Sequence, residues 1–316
     1  LASGVLRGIS GVEPDWGSSG NSFATSASSY SAKSGDGGTG ADTSVSATWV
    51  TREYQVCMKC HSTYGYTTPP SLGSPYTNTT PSGTNSMTSY TDQAKEFHAP
   101  STHATEPASL GTDGGALSTY NTSNHRSWHP VMAATGRTNT LRGTTTSSWE
   151  SPFNGTASGT QTMYCTDCHG STTSATGYST EPTGGENGNP WGPHGSTESF
   201  ILKGEWSSTT GASGRDASYT SNALCFKCHK RSVYADRNGS SASGFGGYHA
   251  YHVDKIGKLR CSWCHVAVPH GWKNKALLVN LNDVGPESGL AGTQVRNRTT
   301  AAYNRNPYYN NAMLKV

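Results

Sequence analysis

All eight cysteines of this 316-residue chain fall in four Cys-x-x-Cys pairs, and a histidine follows each pair at once. The pairs are Cys57/Cys60, Cys165/Cys168, Cys225/Cys228 and Cys261/Cys264; the histidines are His61, His169, His229 and His265. With 12 histidines in the whole chain, chance does not place one behind every pair. Cysteines at i and i+3 share one face of a helical turn, and the residue at i+4 lies beside them. Two thiols so placed can add to the two vinyl groups along one porphyrin edge, and the next imidazole can then reach the iron as proximal ligand. The pentapeptide C-x-x-C-H is the attachment signature of c-type haem. Other uses of paired cysteines fit less well. Zinc sites and redox dithiols do not require a histidine behind every second cysteine. A disulfide framework in an exported protein predicts scattered cysteines rather than four identical units. The expected cofactors are four covalently bound c-type haems.

That expectation explains a composition that otherwise reads as disorder. Hydrophobic residues make up 32% and charged residues 14%, against roughly 45–50% and 25% in average globular chains. In their place stand 38 Gly, 43 Ser and 41 Thr. One large apolar macrocycle for every 79 residues supplies the core that aliphatic side chains do not. The expected fold class is mostly irregular coil with few short helices, a multihaem c-type cytochrome wrapped around a haem chain. Helical turns are expected at each pentapeptide and over 272–281. No run approaches the roughly 18 apolar residues of a transmembrane helix, so no transmembrane segment is expected. The chain also lacks the sustained periodicity of a coiled coil or helical repeat. Its 23 cationic and 20 anionic side chains leave no broad basic face for nucleic acid.

Eight histidines remain for four distal positions. Methionine is the alternative ligand at higher potential, but of Met58, Met87, Met132, Met163 and Met313 only Met132 lies in a ligand-like segment. Bis-histidine ligation and low potentials follow. His129 in SWHPVM, His194 in WGPHGS and His270 in AVPHGW are stiffened by a neighbouring proline. His252 and His249, in YHAYHV, precede the fourth pentapeptide. The distal set is therefore His129, His194, His252 and His270, with His249 and His98 as further candidates and His103 and His125 behind them. His270 is too close to His265 to straddle the same iron and is assigned to a neighbouring haem.

The chain is read as a single tetrahaem domain over 1–316. Residues 1–50 carry neither Cys nor His and are taken as a polar arm at the surface or at a subunit contact. Haem binding occupies 52–285, and 286–316 form a tail with Tyr303, Tyr308 and Tyr309. The first pentapeptide stands apart: 108 residues separate Cys57 from Cys165, while the next gaps are 60 and 36. His129 is the natural residue to tie in the first haem. Lys255, Lys258, Arg260 and Lys273 are candidates to pair with haem propionates, with a solvated basic face as the alternative.

The segments around these residues carry a family resemblance. Four C-x-x-C-H motifs with HPV, GPHGS, YHAYHV and VPHGWKNKALLVNL resemble the multihaem extracellular cytochromes of metal-reducing bacteria. CSWCHVAVPHGWKNKALLVNLNDV, from Cys261 to Val284, is the most specific stretch. Four haems place the chain near the tetrahaem, OmcE-like class, whose subunits polymerise into cytochrome filaments. The resemblance spans 52–285, and the Ser/Thr/Gly-rich stretches within it read as surface insertions. It implies bis-His haems in a continuous chain of alternately stacked and crossed pairs. It also implies end-to-end assembly of identical subunits, often with a histidine of one subunit ligating an iron of the next.

The expected function is long-range electron transfer as the repeating subunit of an extracellular filament, with no catalysis. Its partners are copies of itself, electron donors and external acceptors. A discrete periplasmic or surface tetrahaem shuttle is the alternative. A multihaem oxyanion reductase ranks below it, because such an enzyme needs an open iron face and often a Lys-ended motif. Haem attachment of this kind takes place outside the cytoplasm, so an exported, extracellular or surface location after removal of a leader is expected. Sequons such as Asn78-Thr79-Thr80 and Asn238-Gly239-Ser240 would admit glycosylation.

Overall fold

The computed structural model describes residues 8–17, 26–66, 92–98, 127–136, 138–139, 144–170, 193–196, 198–204, 224–236, 242–243, 247–256, 261, 265, 269–272 and 275–277. Cys264, His103, His125, Lys258, Arg260, Lys273, the two sequons and the tail 286–316 lie outside these residues. Two compact units divide the chain. The first comprises Leu1–Ala104, Ala116–Ala133 and His265–Val316; the second comprises Thr105–Gly115 and Ala134–Cys264. The dividing line runs between Cys264 and His265, inside the fourth pentapeptide. No shift in composition marks it.

In the first unit, Gly11–Asp15 (β1) pairs antiparallel with Ser29–Lys33 (β2), Gly11 opposite Lys33 and Asp15 opposite Ser29. Val12 and Pro14 turn inward and Glu13 sits between them. A proline is tolerated here because a two-stranded sheet has only edges. The buried Lys33 sends its ammonium to the carbonyls of Val45 and Ala47. Helix α1, Glu53–Cys57, lies on β1. A Cβ on Gly11 would come within 2.8 Å of the Gln55 carbonyl oxygen, so the close approach requires glycine. Within the segment read from sequence as a polar arm, the described residues 8–17 and 26–50 form a platform for the first pentapeptide. Its inward positions, Val12, Ala47 and Val50, are few enough to be hidden among Ser, Gly and Thr.

Helix α2, Gln93–Phe97, buries Ala94, Glu96 and Phe97. Ser127–Trp128 (β3) pairs antiparallel with Gly271–Trp272 (β4), Ser127 opposite Trp272. A 3-10 turn follows at Lys275–Leu277, where Ala276 and Leu277 hold φ of 54° and 58°. The described part of 272–281 is therefore a strand end and a turn in which two residues take the left-handed region, instead of the expected helix.

The second unit is built from short turns. 3-10 turns occupy Thr146–Ser148, Cys165–Asp167, Ser199–Ile201 and Leu224–Lys227. Helix α3, Arg231–Tyr234, packs on helix α4, Tyr248–Ile256. Phe226 and Ala235 form a small buried cluster. Along α4, Ala250 and Val253 are buried while Tyr248 and Tyr251 are exposed. Among the described residues, no helix is long and apolar enough to cross a membrane.

Candidate functional site

Three of the four Cys-x-x-Cys-His pentapeptides are described throughout, and all three make the same turn. The carbonyl of the first cysteine accepts from the N–H of the second cysteine and from that of the histidine. The two distances are 3.1 and 2.9 Å at Cys57, 3.2 and 3.0 Å at Cys165, and 3.3 and 2.9 Å at Cys225. One helical turn so closed puts both thiols and the imidazole side on one side of the backbone. None of the seven described cysteines is in a disulfide.

The second and third turns end in a matching backbone clamp. At His169, the Cys168 carbonyl accepts from Lys203 N–H at 2.8 Å, and Gly170 N–H donates to the Ile201 carbonyl at 2.9 Å. At His229, the Cys228 carbonyl accepts from Glu150 N–H at 2.8 Å, and Lys230 N–H donates to the Ser148 carbonyl at 3.0 Å. His169 thereby bridges to Leu202, and His229 to Trp149. Facing residues between such hydrogen bonds approach closely. Trp149 meets the His229 ring at 4.8 Å, and Tyr234 meets it edge-on at 5.2 Å. Burial pushes the Cys168 thiol up to about 12, with Asp167 adding to the effect. The thiols of Cys225 and Cys261 are hydrogen-bonded, which together with burial raises Cys225.

The first turn is held by side chains. Gln55 Oε1 accepts from Thr51 and Arg52 N–H, its amide donates to Glu13 at 2.8 Å, and the Tyr54 hydroxyl donates to the same carboxylate at 2.9 Å. Met58, between the two cysteines, is fully buried. Lys59 reaches Ser10 Oγ at 2.8 Å, and Gln93 N–H, at the start of α2, donates to the His61 carbonyl at 2.8 Å.

Five imidazoles share one arrangement at Nδ1. That of His169 meets the Phe200 carbonyl at 3.0 Å, that of His252 the Tyr248 carbonyl at 2.6 Å, and that of His265 the Ala276 carbonyl at 2.8 Å. His129 Nδ1 meets the Pro269 carbonyl, and His270 Nδ1 meets the Glu96 carboxylate. A carbonyl oxygen only accepts, so at His129, His169, His252 and His265 the proton sits on Nδ1 and the lone pair on Nε2, and an ionised Glu96 imposes the same on His270. Metal-bound histidines are held this way, with the second ring nitrogen on a carbonyl or carboxylate. Two of the acceptors stand in strained backbone: Phe200 and Ile201 have φ of 62° and 56°, matching Ala276 and Leu277. The left-handed region costs a non-glycine residue roughly 1–2 kcal/mol. The His169 and His265 imidazoles thus both lean on a carbonyl in a left-handed pair.

In the first unit, the short sheet sets His129 opposite His270, and His129 N–H donates to the His270 carbonyl at 2.9 Å. Residues facing one another across an antiparallel pair project to the same face, which suits two neighbouring metal centres better than two sides of one. Phe97 packs on His270 with ring centroids 4.5 Å apart. Desolvation holds His270 down at about 3 and His98 at about 4, and it lowers His265 against the Ala276 carbonyl. All three stay neutral, the form that ligates a metal. His98 is buried and lies flat on Trp16, 3.9 Å away and 3° from parallel. In the second unit, His249 meets the edge of Tyr234 at 5.4 Å, His252 lies one turn further along α4, and His194 is exposed.

The donor set fits an iron porphyrin. Paired thiols outside any disulfide can carry thioethers, and neutral Nδ1–H imidazoles can ligate iron through Nε2. Sequence reading missed Glu96, Trp16, Trp149 and Tyr234, and the Phe200 and Ala276 carbonyls. A backbone acceptor has no side-chain signature, and Glu96 stands 174 residues from His270. No protein-family model, no curated protein and no solved structure matches the chain.

Proposed function

We propose that this chain is an electron-transfer protein that holds four c-type haems, each through two thioethers and two axial histidines. The observation that carries the reading is the shared Nδ1 arrangement of five imidazoles in a chain with four C-x-x-C-H pentapeptides. The thiols of Cys57, Cys60, Cys165, Cys168, Cys225, Cys228, Cys261 and Cys264 fix the group. His61, His169, His229 and His265 are the proximal ligands. The distal set is His129, His194, His252 and His270, with His249 and His98 in reserve. Bound there, the haem supplies a one-electron ferric/ferrous couple. The protein's part is to orient each imidazole through its Nδ1 acceptor, to shield the irons from water and to hold both axial positions, so that little rearranges when an electron arrives.

In this reading the protein is the repeating subunit of an extracellular filament, exported before use, passing respiratory electrons to external acceptors. Eight histidines for four distal positions leave donors for an iron of a neighbouring copy, and the resemblance at 261–284 points the same way. The test is direct. The reduced protein shows a cytochrome α-band, intact mass gives four haems per chain, and electron paramagnetic resonance shows only low-spin iron. Negative-stain microscopy shows filaments. A colourless preparation refutes the haem reading, and a dilution-stable monomer with every iron ligated from within refutes the polymer.

A further inference from the structure

We infer that Glu96 is a positioning residue for His270, and that it lowers the potential of the haem served by His270. The inference rests on the haem reading above and goes beyond it by assigning the residue that tunes one site.

Four of the five oriented imidazoles give their Nδ1 proton to a backbone carbonyl: His129, His169, His252 and His265. His270 alone among them meets a carboxylate. A carboxylate acceptor is charge-assisted and roughly twice as strong as a neutral one. It fixes the ring and raises the basicity of the ligating nitrogen. A more basic ligand stabilises ferric over ferrous iron, which lowers the potential.

Glu96 is fully buried, where an ionised carboxylate would be weakly screened. Burial pulls the neighbouring Lys95 ammonium down, against the opposing pull of Asp92 and Glu96. Helix α2 has no structural need of an acid there. Ala94 and Phe97 supply its apolar contacts, and a glutamine would meet His270 at the same reach without the cost of burying a charge. The same helix turn sets Phe97 on the His270 ring, and the N-terminus of α2 is tied to the His61 carbonyl. One short element thus fixes the orientation of His270 and supplies its acceptor.

The test is a spectroelectrochemical titration of the intact haem-loaded protein beside Glu96→Gln, which keeps an amide oxygen for Nδ1–H and removes the charge. One of the four midpoint potentials is expected to move positive while three stay in place. The g-values of a single low-spin centre should shift with it. Four low-spin haems with unchanged potentials, or a uniform shift of all four, would each overturn the role of Glu96 and leave the haem reading intact. If Glu96→Gln fails to accumulate with four haems, Glu96→Asp decides: withdrawal of the carboxylate by one methylene lifts the same single potential, and an unchanged pattern overturns the inference. A wild-type preparation without an α-band removes both readings before any variant is made.

Discussion

Around Cys57–His61 the supporting structure is made of side chains, whereas around Cys165–His169 it is made of backbone. The first pentapeptide rests on the Gln55–Glu13–Tyr54 network, on buried Met58 and on a two-stranded sheet. The second has Thr166 and Asp167 between its cysteines and is held by the paired hydrogen bonds that link Cys168 to Lys203 and Gly170 to Ile201. The third shares that clamp and adds buried Phe226. One chemical unit is thus immobilised in two ways. The difference teaches where each can be broken: the first by changing what a side chain is, the second by removing what every residue has.

On the haem reading, the largest effect should come from taking away the cofactor. Cys57→Ser/Cys60→Ser and Cys165→Ser/Cys168→Ser each leave three haems by intact mass. Limited proteolysis then separates them. Residues 8–17 and 26–66 stay protected in the first variant, because the strand pair and its network remain. Residues 165–170 and 198–204 become cleavable in the second, where the clamp consists of backbone hydrogen bonds around buried Leu202. Equal protection in both would erase the contrast.

Next come the positions between the cysteines. Met58→Ala should cost about 2–5 kcal/mol, the range for large-to-small changes at a closed site. Thr166→Ala, at the same place in the second pentapeptide, should stay within about 0.5 kcal/mol, as half-exposed sites do. Denaturant midpoints of the two variants give the comparison.

A third pair sharpens it from the other side. Lys203→Pro removes the N–H that satisfies the Cys168 carbonyl, at roughly 1–3 kcal/mol for an orphaned acceptor. Gly11→Ala drives a methyl against the Gln55 carbonyl, at about 1–3 kcal/mol for overpacking. Swapping the Lys203 side chain alone, as in Lys203→Ala, should leave the clamp bond in place, which amide exchange at residue 203 would report.

The smallest effect is a pH dependence confined to the first network. Burial raises the Glu13 carboxyl above its ordinary 4.5, against the lowering by Gln55 and Tyr54. A raised acid binds more protons in the folded state, so its contribution is complete below 4.5 and is lost as pH climbs through the folded value. The Glu13 contribution to stability should therefore fall as pH rises from 4.5, so the unfolding midpoint of Glu13→Gln should gain on that of the wild type as pH climbs above that value.

How much of this was legible in the sequence depends on how local the cause is. The turn at each described pentapeptide depends on i, i+3 and i+4 alone, and the spacing announces it. The β1–β2 pair is harder to read, because Val12 and Pro14 are the inward positions of a five-residue strand set among small polar residues. A two-residue strand such as β3 has no period to detect. The stretch from Trp272 reads as helix from its Lys, Ala and Leu content. His265 Nδ1 meets a carbonyl there, however, and Ala276 and Leu277 take the left-handed region with Ala276 supplying it. Tertiary demand overrides local preference at that point.

The pairing of β3 with β4 joins segments some 140 positions apart. Contacts of such range form slowly, since a long loop must close before they are rewarded. On the reading proposed here, this makes the ladder at His129 and His270 a natural last latch. The two imidazoles can come side by side only once the C-terminal segment has arrived, so the long-range pairing sets when this part of the molecule can close.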